Sequence, residues 1–154
     1  MLFSGLALLA GAPSHALDLG LEETRPGLRL SAGADVFRAP GSVVVSGRYG
    51  GDWGARLGFW AYDAGGVQPG APNLIVAVDR MWTISKLRGA VGLAWIDEEN
   101  SVNGTRWNLD ATLAYDVSGR LFVEYRHQSR GKILGIGGDA PNGGWNIVGV
   151  GLTF

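Results

Sequence analysis

The segment Leu121-Phe122-Val123-Glu124-Tyr125-Arg126-His127-Gln128-Ser129 holds the residues best suited to chemistry. In an extended chain Leu121, Val123, Tyr125, His127 and Ser129 share one face, and Phe122, Glu124, Arg126 and Gln128 share the other. Successive residues of one face lie about 6.7 Å apart, a gap that histidine and serine side chains lean across to hydrogen-bond. With His127 as general base and Ser129 as nucleophile, the pair is an activated serine of the kind that attacks acyl carbons. A polar pair continuing an apolar row is costly unless it has a partner or a task. Strand ends also carry ordinary interfacial polar residues, so the pair takes its meaning from its setting. Arg130 and Lys132 follow at once and offer cations to phosphate groups. Glu124 and Arg126, on the opposite face, are expected to be ion-pair partners rather than catalysts.

Other chemistries lack their residues. The 154-residue chain has no Cys, which removes disulfides, thiolate metal sites and cysteine nucleophiles. Its two histidines are His15 and His127, and no metal-ligand cluster is spelled out. Gly135-Ile136-Gly137-Gly138 lacks the Lys-Ser/Thr of a P-loop, so no cofactor is expected. Thirteen Lys and Arg against fourteen Asp and Glu give no basic field, and no nucleic-acid partner is expected.

The elements that must hold His127 and Ser129 are strands. Trp107, Leu109, Ala111, Leu113, Tyr115 and Val117 alternate with Arg106, Asn108, Asp110, Thr112, Ala114 and Asp116, a period of two. Leu28, Leu30, Ala32, Ala34 and Val36 alternate with Arg29, Ser31, Gly33 and Asp35 in the same way. Turn signals divide the chain into eight such strands at about 28–37, 42–50, 55–63, 74–84, 87–97, 105–117, 120–129 and 145–154. The expected fold class is all-β: an eight-stranded antiparallel up-and-down transmembrane β-barrel.

A soluble barrel with an apolar interior and an outer-membrane barrel with an apolar outside both alternate, so period alone leaves them open. Loop lengths favour the membrane form. Connections after even strands are short (Gly50-Gly51-Asp52-Trp53-Gly54, Ser85-Lys86, Ser118-Gly119), whereas residues 64–73, 98–104 and 130–144 make long connections after strands 3, 5 and 7, the first odd connection, Arg38 to Gly41, being short. Tyr49, Trp53, Trp82, Tyr115 and Phe154 fall at one end and Phe37, Tyr62, Trp95, Trp107 and Trp145 at the other, as two interfacial girdles would. Trp60 and Tyr125 are mid-strand exceptions. Eight strands leave an interior just wide enough for side chains, so no wide pore is expected. Residues 1–16 read as a secretory leader ending at Ser14-His15-Ala16, which leaves 17–154 as a single barrel domain. The final Phe154 is similar to the assembly signal of bacterial outer-membrane proteins, and the expected location is the bacterial outer membrane.

Tyr125-Arg126-His127-Gln128-Ser129, followed after a Gly-containing loop by Pro141-Asn142-Gly143 and a last strand, resembles the C-terminal motif of the lipid A 3-O-deacylases. The motif covers about the last thirty residues. The resemblance implies a hydrolase that removes the ester-linked 3-hydroxyacyl chain of lipid A through His127 and Ser129 on the lipid-facing barrel surface, with lipopolysaccharide of the outer leaflet as its partner. It implies no cofactor, and a homodimer stays open. Asn142 matches the family's Pro-Asn and is implied to stabilise the oxyanion, together with the backbone of Arg130-Gly131 after Ser129. The acidic third catalytic member expected just past Pro-Asn is Asn146 in this chain. Asn146 shares parity with Val148, Val150, Leu152 and Phe154, which puts it on the lipid face near His127, and Asp139 in the long loop is the alternative acid. The competing functions are a non-enzymatic small outer-membrane barrel in adhesion, resistance or structure, and a soluble barrel binding an apolar ligand.

Overall fold

A chain that alternates large apolar residues with small or polar ones can hide only one of its two faces in a sheet, and a closed sheet makes that choice for every strand at once. The computed structural model describes residues 24–37, 42–61, 73–97, 105–129 and 144–154. They form eight strands: β1 (Gly27–Asp35), β2 (Val43–Gly50), β3 (Trp53–Ala61), β4 (Asn73–Ile84), β5 (Leu87–Ile96), β6 (Trp107–Asp116), β7 (Leu121–Ser129) and β8 (Trp145–Thr153). Each strand pairs antiparallel with the next, and β8 pairs with β1 to close an all-β barrel. No described helix is long and apolar enough to cross a membrane.

The strand bounds differ from the sequence expectation by at most two residues. β3 begins at Trp53 rather than residue 55, because Gly51 and Asp52 alone make the turn from β2. Gly50 has φ 138°, and a Cβ there would run into the Trp53 carbonyl, so the tightness of the turn requires glycine. Residues 38–41, 62–72, 98–104 and 130–143 lie outside the described residues, and with them the expected long connections.

The apolar rows face outward. Leu30, Val45, Leu57, Val78, Leu93, Leu113, Val123 and Val150, one from each strand, are all exposed. Tyr49, Trp53, Trp82, Tyr115 and Phe154 form an exposed aromatic ring at the end with the short turns. At the other end Phe37 and Trp107 are exposed, but Trp145 corrects the girdle expectation. It is 1% exposed and meets Trp60 edge-on inside the barrel. Parity explains this, since Trp145 and Ile147 occupy the same inward row of β8.

Inside, two tiers fill the barrel. Near the long-connection end, Val44, Trp60, Ile75, Ala94, Ile96, Trp145 and Ile147 pack as an apolar plug. Below it lies a network of ion pairs, buried except at Asp116. Arg48 pairs with Asp79 at 2.6 Å, Arg56 bridges Asp79 and Asp110, and Arg88 pairs with Asp116 at 2.5 Å. The expected Glu124–Arg126 pair closes at 2.6 Å, and Arg126 also donates to the Ser46 hydroxyl at 3.0 Å. A cavity within this network, lined by Arg29, Ser46, Arg56 and Glu124 among others, is only about 20 Å³, room for about one water, and a wider one of about 500 Å³ opens at the short-turn end past Arg29, Arg88 and Asp116. An ion-lined lower interior and an aliphatic exterior are compatible with an outer-membrane barrel.

Candidate active site

His127 and Asn146 are Cα partners across β7 and β8. Both side chains belong to the outward row, and both are partly buried by their neighbours. The imidazole Nδ1 lies 3.1 Å from the Asn146 Oδ1. A carbonyl oxygen only accepts, so this contact is a hydrogen bond when Nδ1 carries the proton. On the other flank of His127 the Cα partner is Ala111 of β6, whose small side chain leaves open surface beside the ring.

Asn146 is held from three directions. Its backbone N–H donates to the Asp35 Oδ2 at 3.0 Å, and its carbonyl accepts from the Val36 N–H at 2.9 Å, so β1 fixes its main chain. The same Asp35 side chain accepts from the Phe37 N–H through Oδ1 at 2.8 Å, which keeps the carboxylate in place. Its side chain accepts from the Tyr125 hydroxyl at 2.5 Å and donates through Nδ2 to the Gly144 carbonyl at 3.4 Å. Tyr125 pairs in register with Val148, and a tyrosine is long enough to bridge the diagonal from there to Asn146.

Ser129 ends β7 two residues beyond His127, opposite Leu109. The sequence expectation carried Ser129 outward with His127, yet it is 7% exposed. The cause is the approach of β8: a Cβ on Gly144 would collide with the Gln128 carbonyl and come within 2.8 Å of the Ser129 Cα. Only glycine lets the start of β8 press so closely on the end of β7. The serine is thereby shielded, whereas the imidazole stays at the surface.

An apolar groove of about 410 Å³ opens beside the imidazole. Its lining includes Trp82, Leu87, Gly89, Ala111, Leu113, Tyr125 and His127. Successive cross-strand rows build it. Val91, Ala111 and His127 form one row across β5, β6 and β7, and Gly89, Leu113 and Tyr125 form the next. Gly89 and Ala111 make it deep. A Cβ at Gly89 would lie 2.5 Å from the Trp82 indole, so that ring spreads into the space a side chain would occupy. The volume falls within the range typical of ligand sites, and its walls are aliphatic and aromatic rather than charged.

Sequence reasoning selected His127, Ser129 and Asn146, and the fold brings the first and last into contact at one end of this groove. Arg130, Gly131, Asn142, Lys132 and Asp139 lie outside the described residues. Asp35, Tyr125 and the groove residues escaped it. Asp35 carried a signal, as an acid in the inward row at the end of β1. Tyr125 carried a weaker one, as an aromatic too far from either girdle. Among the described residues no three His, Asp or Glu side chains gather as a metal site. No family model, curated protein or solved structure matches this chain.

Proposed function

We propose that the protein is an outer-membrane esterase that removes the 3-linked hydroxyacyl chain of lipid A, acting on its substrate from the outer surface of the barrel. The observation that carries the proposal is the His127–Asn146 contact at the mouth of an apolar groove on an apolar surface. A general base with an oriented imidazole is the working half of a hydrolytic site. Its place outside the barrel is what a substrate dissolved in the bilayer requires, because such a substrate never enters the filled interior. The outward aliphatic rows supply the belt that faces hydrocarbon. With the long-connection end at the cell exterior, His127 and Ser129 stand near the level of the outer leaflet's ester linkages.

In this mechanism the Ser129 hydroxyl attacks the ester carbonyl and passes its proton to the His127 Nε2. The tetrahedral intermediate collapses, and the sugar oxygen leaves with that proton, which yields an acyl-enzyme on Ser129. A water from the headgroup side, deprotonated by His127, then releases the hydroxy fatty acid. Asn146 accepts the Nδ1 proton's hydrogen bond throughout and so leaves Nε2 unprotonated to act as the base. The groove past Ala111 and Gly89 takes the acyl chain, so the ester is anchored by apolar contact while the sugar stays at the interface. Of the residues carried over by resemblance, Asn142 and the Arg130-Gly131 backbone serve the oxyanion, and the side chains of Arg130 and Lys132, cations just past Ser129 in the sequence, serve the lipid phosphates.

The direct test is hydrolysis by purified barrel folded in detergent, with lipid A as substrate and gas chromatography of released fatty acid. Wild type should liberate a 3-hydroxy fatty acid, and His127→Ala should liberate none above the uncatalysed background. Equal release from both would end the proposal, and no release from a folded wild type would favour a non-enzymatic barrel.

A further inference from the structure

We propose that Tyr125 is a positioning residue for His127, acting through Asn146: its hydroxyl keeps the carbonyl end of the Asn146 amide turned to the imidazole. The inference rests on the esterase reading, since it gives Tyr125 a part in that reaction.

An asparagine is an ambiguous partner for a catalytic histidine. One end of its amide only accepts hydrogen bonds and the other only donates. With Oδ1 toward His127, Nδ1 carries the proton and Nε2 keeps the lone pair that must take a proton from Ser129. With the amide turned over, Nδ2 would donate to Nδ1, the ring proton would sit on Nε2, and the imidazole could not act as base toward the serine. A carboxylate has no such ambiguity, because both its oxygens accept. An asparagine at this position therefore needs a neighbour to choose its orientation.

Two contacts make the choice. The Tyr125 hydroxyl donates to Oδ1 at 2.5 Å, and Nδ2 donates to the Gly144 carbonyl at 3.4 Å. Turning the amide over would set two carbonyl oxygens against each other at Gly144. A phenol oxygen can also accept, so a turned amide would still meet it through Nδ2, but the 2.5 Å separation suits an O–H···O bond and is shorter than the N–H···O range, and on this largely aliphatic surface the hydroxyl hydrogen would lose its acceptor. A polar hydrogen without an acceptor in such a setting is expensive. The Gly144 carbonyl only accepts and so sets the sense of the amide, and the Tyr125 contact, shorter by 0.9 Å, is the stronger bond that holds it there. Tyr125, an aromatic placed away from both girdles, thereby acquires a role beyond filling the barrel's outer surface.

Two measurements on the full chain folded in detergent test the proposal. The first is imidazole-nitrogen NMR on isotopically labelled protein, which reports the protonated ring nitrogen directly. The chain has only His15 and His127, and the spectrum of His127→Gln assigns the signals. Wild type should show His127 with its proton on Nδ1, and Tyr125→Phe should show a mixture with the other tautomer. The second is lipid A hydrolysis. Tyr125→Phe should lower kcat about 3- to 10-fold with KM unchanged, and the same change in an Asn146→Ala background should have no effect. An unaltered tautomer together with unaltered kcat would overturn the proposal, as would an undiminished loss in the Asn146→Ala background. A wild type that shows the Tyr125-dependent tautomer but releases no fatty acid would instead overturn the esterase reading, so the two failures are distinguishable.

Discussion

The Nδ1 of His127 and the Oδ1 of Asn146 stand 3.1 Å apart between two adjacent strands of the barrel wall. An amide thus occupies the place where a serine hydrolase commonly has a carboxylate. In the proposed esterase it would orient the ring but offer no negative charge to an imidazolium.

That exchange of charge for orientation gives the first prediction. Asn146→Asp keeps the shape and adds the charge, and it should raise kcat on lipid A by about tenfold or more. Asn146→Ala should lower kcat by about 10- to 100-fold, since the ring then turns freely. Single-turnover release of fatty acid measures both. A carboxylate variant slower than wild type would mean that Asn146 acts otherwise than as the histidine's partner.

The groove beside His127 gives the second. Ala111 is the Cα partner of His127 and lies in the groove, so Ala111→Phe should fill its mouth without touching the interior. Hydrolysis of long-chain esters should fall about tenfold or more, while a soluble acetyl ester should be cleaved at the wild-type rate. Parallel assays of the two substrates check this. Equal loss on both would mean that the groove does not hold the acyl chain.

Much of the architecture was legible in the sequence, because alternation in a closed sheet fixes which face each residue takes. Leu113 and Val123 lie outward and Asp110 and Arg126 inward as their parity demands. Trp145 was misplaced where height along the barrel was weighed above parity. Its inward row leads it to Trp60, and the two rings fill what would otherwise be a void above the ion network. In the candidate site, parity put Asn146 on the face of His127. The register that makes the two partners depends on a connection of more than a dozen residues between β7 and β8, which no turn rule constrains. The diagonal reach of Tyr125 and the clamp by Asp35 depend on that register and on barrel closure, so neither could be read from local pattern.

The buried ions give the third prediction. Arg56 is 3% exposed and bridges Asp79 and Asp110. Arg56→Met would leave the two carboxylates facing each other without their shared cation, at a cost of about 3–5 kcal/mol. Urea unfolding of the barrel in lipid vesicles, followed by tryptophan fluorescence, reads this loss directly. Leu57→Met, on the exposed face of the same strand, should change little.

Mass spectrometry of lipid A from cells making the protein tests the central claim most directly. Cells with the wild-type chain should contain lipid A lighter by one 3-hydroxyacyl group, and cells with an equal amount of folded Ser129→Ala should contain the full-length form. Identical lipid A from the two, with both barrels folded in the outer membrane, would contradict the account.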